Sequence, residues 1–412
     1  MIVKSPENSY DIVIAGGGMV GATFAITVSK ALKKAGLKIL VVEAFEPSTV
    51  DPNAASFDSR STALSFGSKE ILNDSSIWVE LSNKAEPIRE IVISDKGRFG
   101  TARITCKEQN LEALGYVVEN KDLGLILNNR LTRSESIHYF TPATIRDATP
   151  RKSGMDLKIS NGSDSHLVRS NLLVLADGGK SSICDQLGIV RVRQNYNQHA
   201  IVCNVAFEKA HRGMAFERFT ETGPLAVLPL RNFKNENRCS VVWSVNEQES
   251  DKLLKLNQEA LLRELQGQFG QRLGRIKKLG EPHCFPLGLS IAKEQIRPSI
   301  VLLGNVAHTL HPVAGQGMNL ALRDMEALVK SIEKGIKEGS NCGEMRVLQR
   351  YLENQSADQH QVITFTDNLV KLFSSNSMSK VMTRKLGLLS LELFPGLKKS
   401  FAKQAMGIGW GG

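Results

Sequence analysis

Short apolar runs alternate with glycine-rich breaks and longer stretches of helical period, and the first fifty residues set this pattern. Residues 11–15 (Asp-Ile-Val-Ile-Ala) form an apolar, β-branched run suited to a buried parallel strand. Gly16-Gly17-Gly18-Met19-Val20-Gly21 follows at once. Residues 20–35 then place Ala22, Phe24, Ala25, Val28, Ala31 and Leu32 at helical spacing and close at Gly36. A second apolar run, residues 39–42 (Ile-Leu-Val-Val), ends in Glu43. The order predicted is strand, glycine turn, helix, second strand.

Four later segments extend the pattern. Residues 172–175 predict a buried strand running into Ala176-Asp177-Gly178, with a helix from near Ser181 to Leu187 and Gly188. Residues 223–230 and 239–245 predict two strands separated by the polar loop 231–238, and residues 253–269 a helix that caps them. Residues 303–319 carry a second glycine cluster, Leu303-Gly304-Asn305-Val306-Ala307-His308 followed by His311-Pro312-Val313-Ala314-Gly315-Gln316-Gly317-Met318-Asn319. In the tail, an apolar run at 386–395 lies between Lys371, Lys380, Arg384, Lys385, Lys398, Lys399 and Lys403.

Composition bounds the reading. A chain of 412 residues exceeds one small core, so two or more domains are expected. Hydrophobic residues at 42% and charged residues at 23% are those of an ordinary globular protein. No run approaches the ~20 apolar residues that span a bilayer. The first strand begins within the opening residues and leaves no room for a signal peptide, so a cytoplasmic location is expected. The six cysteines are scattered without a close pair, as in a reducing compartment. A net charge of +10 suggests nucleic acid, but zinc-finger spacing, aromatic RNA-binding strands and long basic blocks are all missing, so no nucleic acid partner is expected. The apolar-basic tail suits a peripheral contact with the anionic inner face of the cytoplasmic membrane, or equally a helix packed on the body with a solvated basic face.

The two glycine clusters describe a dinucleotide held at both ends. Gly16 makes the tight turn, Gly18 lets the backbone approach a pyrophosphate, and Gly21 lets helix and strand pack closely. The helix amino-terminus supplies free N–H groups, and Glu43 stands about 20 residues on, where a ribose-binding carboxylate belongs. Asp177, ending a strand of the same sheet, points into the cofactor crevice. Phosphates then lie at the first cluster and a ring system at the second, the layout of a flavoprotein. Arg60, in Phe57-Asp58-Ser59-Arg60-Ser61-Thr62-Ala63-Leu64, is placed to meet phosphates or to pair with Asp58. His308 and His311 have no third ligand, so no metal is expected.

These segments resemble the group A FAD-dependent aromatic hydroxylases, and within them the ubiquinone-biosynthesis hydroxylases. The Gly16/Gly18/Gly21 fingerprint, Asp58-Ser59-Arg60, residues 113–120, Ala176-Asp177-Gly178, residues 304–319 and the tail carry the likeness. The resemblance implies an α/β fold: a Rossmann-like FAD-binding domain (1–80, 108–187 and 283–345) interleaved with a β-rich substrate domain (81–107 and 188–282), then C-terminal helices (346–412). It implies cofactor contacts at Gly16, Gly18, Gly21, Glu43, Arg60, Asp177, Asn305, Gly315, Gln316, Gly317, Met318 and Asn319, with Pro312, Gly315, Gln316 and Gly317 along the isoalloxazine ring, where backbone N–H groups offset negative charge. Two residues depart from the broader pattern. Asn305 stands where an aspartate usually meets the ribityl hydroxyls, and its amide can still hydrogen-bond a hydroxyl. Asn305 is similar to the branch that hydroxylates 2-polyprenyl-6-methoxyphenol. Cys184 stands where the Asp-Gly motif usually ends in arginine. The implied activity is hydroxylation of a polyprenylated phenol with transient NADPH and O2 through a C4a-hydroperoxyflavin, in aerobic ubiquinone synthesis and within a ubiquinone-synthesis protein complex. The alternatives are a sister hydroxylase acting at another ring position and a non-catalytic flavin-binding scaffold.

Overall fold

Burial on both sides decides the first sheet. Strand Ser9–Ala15 sends Ile12 and Ile14 into one core and Val13 and Ala15 into another, so its apolar run is continuous. The structure, a computed structural model, describes residues 2–3, 5–46, 60–97, 101–179 and 181–373, with Lys403, Met406 and Gly407. Asp58, Ser59, Lys180 and the apolar run of the tail lie outside the described residues.

Ser9–Ala15 sits within an eight-stranded sheet. Its main path runs Ile296–Arg297, Ile300–Leu302, Asp164–Leu175, Ser9–Ala15, Ile39–Val42, Ile137–Phe140, and all but the first strand are parallel. Thr144–Pro150 and Met155–Asn161 add an antiparallel extension to Asp164–Leu175. Helices Met19–Ala31, Asn120–Arg133 and Gln316–Lys337 share the core on one face. The predicted helix over 20–35 is α-helical to Ala31, then tightens through Lys33–Ala35 to Gly36, which caps it at φ +63°.

The second sheet has nine strands, and its inner members are His283–Ala292, Arg191–Phe207, Asn237–Asn246, Pro224–Pro229, Met214–Phe219 and Glu90–Asp95. One face carries Ile201, Cys203, Phe216, Leu225, Val227, Val241 and Trp243 against helix Gln258–Phe269. The single helix predicted over 253–269 is two, Glu247–Leu254 and Gln258–Phe269, because the Asn257 side chain accepts from Ala260 N at 2.9 Å and starts a new helix. The division drawn at residue 283 moves: His283–Ala292 pairs with Arg191–Phe207 and belongs to the nine-stranded sheet. Glu86–Ile88, assigned from sequence to the same domain as that sheet, instead joins Ser61–Ser65 and Gly115–Glu119 in a three-stranded sheet.

Helix Met345–Phe373 lies along Gln316–Lys337, with Arg323 Nε 2.7 Å from Asp358 Oδ2. Met406 is buried against Phe219, Ile93 and Leu114, and its carbonyl accepts from Gly67 N at 3.0 Å. No helix of the described residues is long and apolar enough to cross a membrane.

One buried ion pair joins the small sheet to the nine-stranded one. Arg238 Nη1 and Nη2 donate to Glu119 Oε1 and Oε2 at 2.9 and 3.2 Å, and Arg238 is only 1% exposed. Removing Glu119 takes away the carboxylate to which the buried guanidinium is hydrogen-bonded. Glu119→Ala should therefore cost about 3 kcal/mol, measured by urea unfolding, while Glu119→Leu combined with Arg238→Met should recover most of that loss.

Candidate active site

The register of the parallel sheet gathers the site. Ala15 lies opposite Leu175 and Val42, and Leu175 lies opposite Leu302. Four strand ends are thus in line, and Gly16, Glu43, Asp177 and Gly304-Asn305 leave the sheet at one edge. That carboxyl edge is where open α/β sheets bind ligands.

Each glycine of the turn meets a different constraint. Gly16 has φ +97°, and a Cβ there would fall 2.7 Å from the Ala176 carbonyl oxygen. A Cβ on Gly21 would fall 2.0 Å from the Gly16 oxygen. Gly18 faces open space, with nothing within 4 Å of a Cβ position, and is the N-cap residue of Met19–Ala31. The free N–H groups of that helix end therefore border an unfilled volume fit for an anion. Glu43 stands at its mouth, accepting from Gly17 N at 2.6 Å through Oε2 and from Phe45 N at 3.0 Å through Oε1.

Asp177 is exposed at the end of its strand, yet the loss of water around its carboxyl raises it above the ordinary range while Ser181 and Arg191 oppose the rise. Arg191 was not singled out from the sequence. Its Nη1 donates to the Gly179 carbonyl, its positive charge acts on the Cys184 thiol and the Asp177 carboxyl, and Nε and Nη2 are buried without partners. The cation missing at Cys184 is supplied from the following strand, which no spacing rule could show. Arg60 is exposed, and its guanidinium sits 5.2 Å from the centroid of the Phe285 ring on the nine-stranded sheet.

The second glycine cluster rests on the first. A Cβ on Gly304, at φ +66°, would meet Val20 Cγ2 at 3.0 Å, so this loop is seated on the first helix. Asn305 and Pro312 are exposed, Met318 is half-buried and Gln316 is buried. Gly315, at φ +61°, caps helix Gln316–Lys337, and Gly317 faces open space. Asn319, a cofactor contact by the resemblance, spends its whole side chain inside the protein. Its Oδ1 accepts from Ser65 N and Ser68 Oγ at 2.8 and 2.7 Å. Its Nδ2 donates to the Ala63 and Gly315 carbonyls at 3.0 and 2.7 Å. Asn319 holds the loop in place, leaving backbone groups to face a cofactor.

The two histidines serve separate structures. His308 Nε2 lies 2.6 Å from Asp324 Oδ2, and Asp324 Oδ1 accepts from Gln359 at 2.9 Å. His311 Nδ1 accepts from Val313 N at 3.1 Å, and Tyr196 stands edge-on to its ring while donating to Asp367 at 2.9 Å.

The open turn, the carboxylate at the strand end and the loop around Gly315 fit FAD. The family described as "FAD binding domain" matches residues 9–366. The chain belongs to this family. It is 32% identical over 409 residues to ubiquinone hydroxylase UbiL of Rhodospirillum rubrum, covering 98% of this chain and 91% of that one. It is 29% identical over 401 residues to 3-demethoxyubiquinol 3-hydroxylase of Escherichia coli, covering 97% and 98%. Human ubiquinone biosynthesis monooxygenase COQ6 is 26% identical over 442 residues, covering 96% and 92%. p-Nitrophenol 4-monooxygenase PnpA of Pseudomonas putida shares the fold at TM-score 0.76 and 14% identity, over 97% of this chain and 99% of that one. The chain is an FAD-dependent monooxygenase of the ubiquinone-biosynthesis hydroxylases.

In this FAD-dependent hydroxylase, Gly18→Ala should keep the fold at a cost of about 1 kcal/mol and lose bound FAD, measured as flavin absorbance per chain. Gly16→Ala should fail to fold, since the added carbon meets backbone. Burial pushes His311 from an ordinary 6.5 down to about 4. The unfolded chain binds that proton first, so the stability due to neutral His311 is complete above pH 6.5 and falls as pH drops toward 4. The loss should reach about 3 kcal/mol, and His311→Asn should flatten that part of the stability–pH curve.

Proposed function

We propose that this hydroxylase acts on the aromatic ring of a polyprenylated phenol, 2-polyprenyl-6-methoxyphenol, with NADPH and O2. FAD, when bound, supplies the oxygen activation. The chain's residues bind, position and exclude water. The turn at Gly16–Gly18 and Glu43 hold the dinucleotide end, and the N–H groups of the loop through Gly317 offset negative charge at the ring end. His311, neutral at working pH, adds no charge beside Pro312.

The observation that carries the substrate class is the inner face of the nine-stranded sheet. Ala226, Val242 and Val202 follow one another across adjacent strands and are half-buried, although they lie mid-sheet between two layers. Small apolar residues that protein leaves uncovered at such a place suit a flat, greasy ring. A sister activity at another ring position is the second reading, favoured by the likeness to the E. coli 3-hydroxylase. The basic, apolar tail supports peripheral contact with an anionic membrane that dissolves the substrate, and a place in a ubiquinone-synthesis assembly.

The FAD-loaded protein, given NADPH, O2 and a short-chain 2-prenyl-6-methoxyphenol, should form hydroxylated product in step with NADPH consumed. Mass spectrometry and NMR of that product would fix the ring position. Hydrogen peroxide as the sole product with every phenol offered would defeat the proposal, and flavin that NADPH never reduces would favour a scaffold.

A further inference from the structure

Glu217 is a carboxylate that folding does not explain. Along Met214–Phe219, Phe216 stacks edge-on to Phe269 at 5.3 Å and Arg218 Nε donates to the Gln268 carbonyl at 2.8 Å, so both face the helix layer. Strand alternation turns Ala215, Glu217 and Phe219 to the opposite face. Ala215 packs with Ile88, Val117 and Leu230, while Phe219 packs with Ile93, Leu114 and Met406. Glu217 lies between these two apolar clusters, on the face where Arg238 reaches Glu119 and where Phe285 lies under Arg60.

The register places Glu217 in a row. It is opposite Ile93 on one side and Ala226 on the other, and the row continues through Val242 and Val202 to His283. Its Oε1 is buried without a partner, and burial pushes the carboxyl up to about 7. A buried polar atom with no partner is costly, and natural structures keep few of them. Here the group is the cross-strand neighbour of Ala226, in a row with Val242 and Val202, all three only half-buried.

We infer that Glu217 receives the hydroxyl of the phenol substrate: its carboxylate accepts the O–H hydrogen bond and then takes the proton. This inference rests on the phenol-hydroxylase reading above. In the step, the phenol O–H bond breaks, a carboxyl O–H bond forms on Glu217, and the electron pair stays on the phenol oxygen, enriching the ring carbons ortho and para to it. A carboxyl that titrates near neutrality is matched to such a transfer. The small residues beside it leave room for the ring, and the absence of a protein partner leaves its oxygen for the ligand.

The test compares FAD-loaded wild type, Glu217→Gln and Glu217→Ala with a short-chain 2-prenyl-6-methoxyphenol and with its methyl ether, which lacks the O–H. Binding is read from the perturbed flavin spectrum and turnover from hydroxylated product. Wild type should bind the phenol at least about tenfold tighter than the ether, and both variants should lose that preference. Glu217→Gln, nearly isosteric, should keep its flavin while kcat falls by about a hundredfold. Variants that match wild type in preference and kcat overturn the role of Glu217 alone. Loss of flavin from both variants marks a structural role and also overturns it. A wild type that neither binds nor hydroxylates any phenol defeats the functional proposal itself.

Discussion

A single buried amide organises the cofactor end of this protein. Asn319 uses both lone pairs of its oxygen and both N–H bonds on Ser65, Ser68, Ala63 and Gly315. Those partners belong to strand Ser61–Ser65, the start of the following helix, and the loop ahead of Gln316–Lys337. Each bond is modest, but a buried amide left partly unsatisfied is costly, so the set behaves as a lock with one low-energy arrangement. With it closed, Gly315 approaches Ala63 and the backbone of the second glycine cluster is held beside the turn at Gly16.

Two further buried contacts extend this order outward. His308 with Asp324 and Gln359 fastens the same loop to helix Met345–Phe373. Arg238 with Glu119 fastens the nine-stranded sheet to the strand that pairs with Ser61–Ser65. The loop and the nine-stranded sheet are thereby tied to the same three-stranded sheet. The Glu217 carboxylate stands on the same nine-stranded sheet, its Oε1 buried and without a protein partner. A buried carboxylate oxygen beside small apolar residues, with no protein group to satisfy it, belongs with ligand chemistry.

Legibility from sequence followed the range of the interaction. The turn at Gly16–Gly21 and the strand ends at Glu43 and Asp177 were readable because local backbone geometry dictates them within a few residues. Helix limits were less so: a capping side chain at Asn257 splits a helix that apolar spacing alone makes continuous. Cys184 read as a lost arginine, because nothing local shows that Arg191 folds back to Gly179. Asn319 read as a cofactor contact, because its four partners include residues more than two hundred positions away in the chain.

The sequence by itself determined the flavoprotein class, the phosphate turn and the order of the two clusters, since glycine placement and apolar period are local properties of the chain. Tertiary structure alone decided which polar groups are spent on the fold and which are left for a ligand. Glu217, Arg191, Arg238 and Asn319 are similar in kind as letters. Their roles separate only when strand register and burial bring distant partners to within hydrogen-bond distance, or fail to.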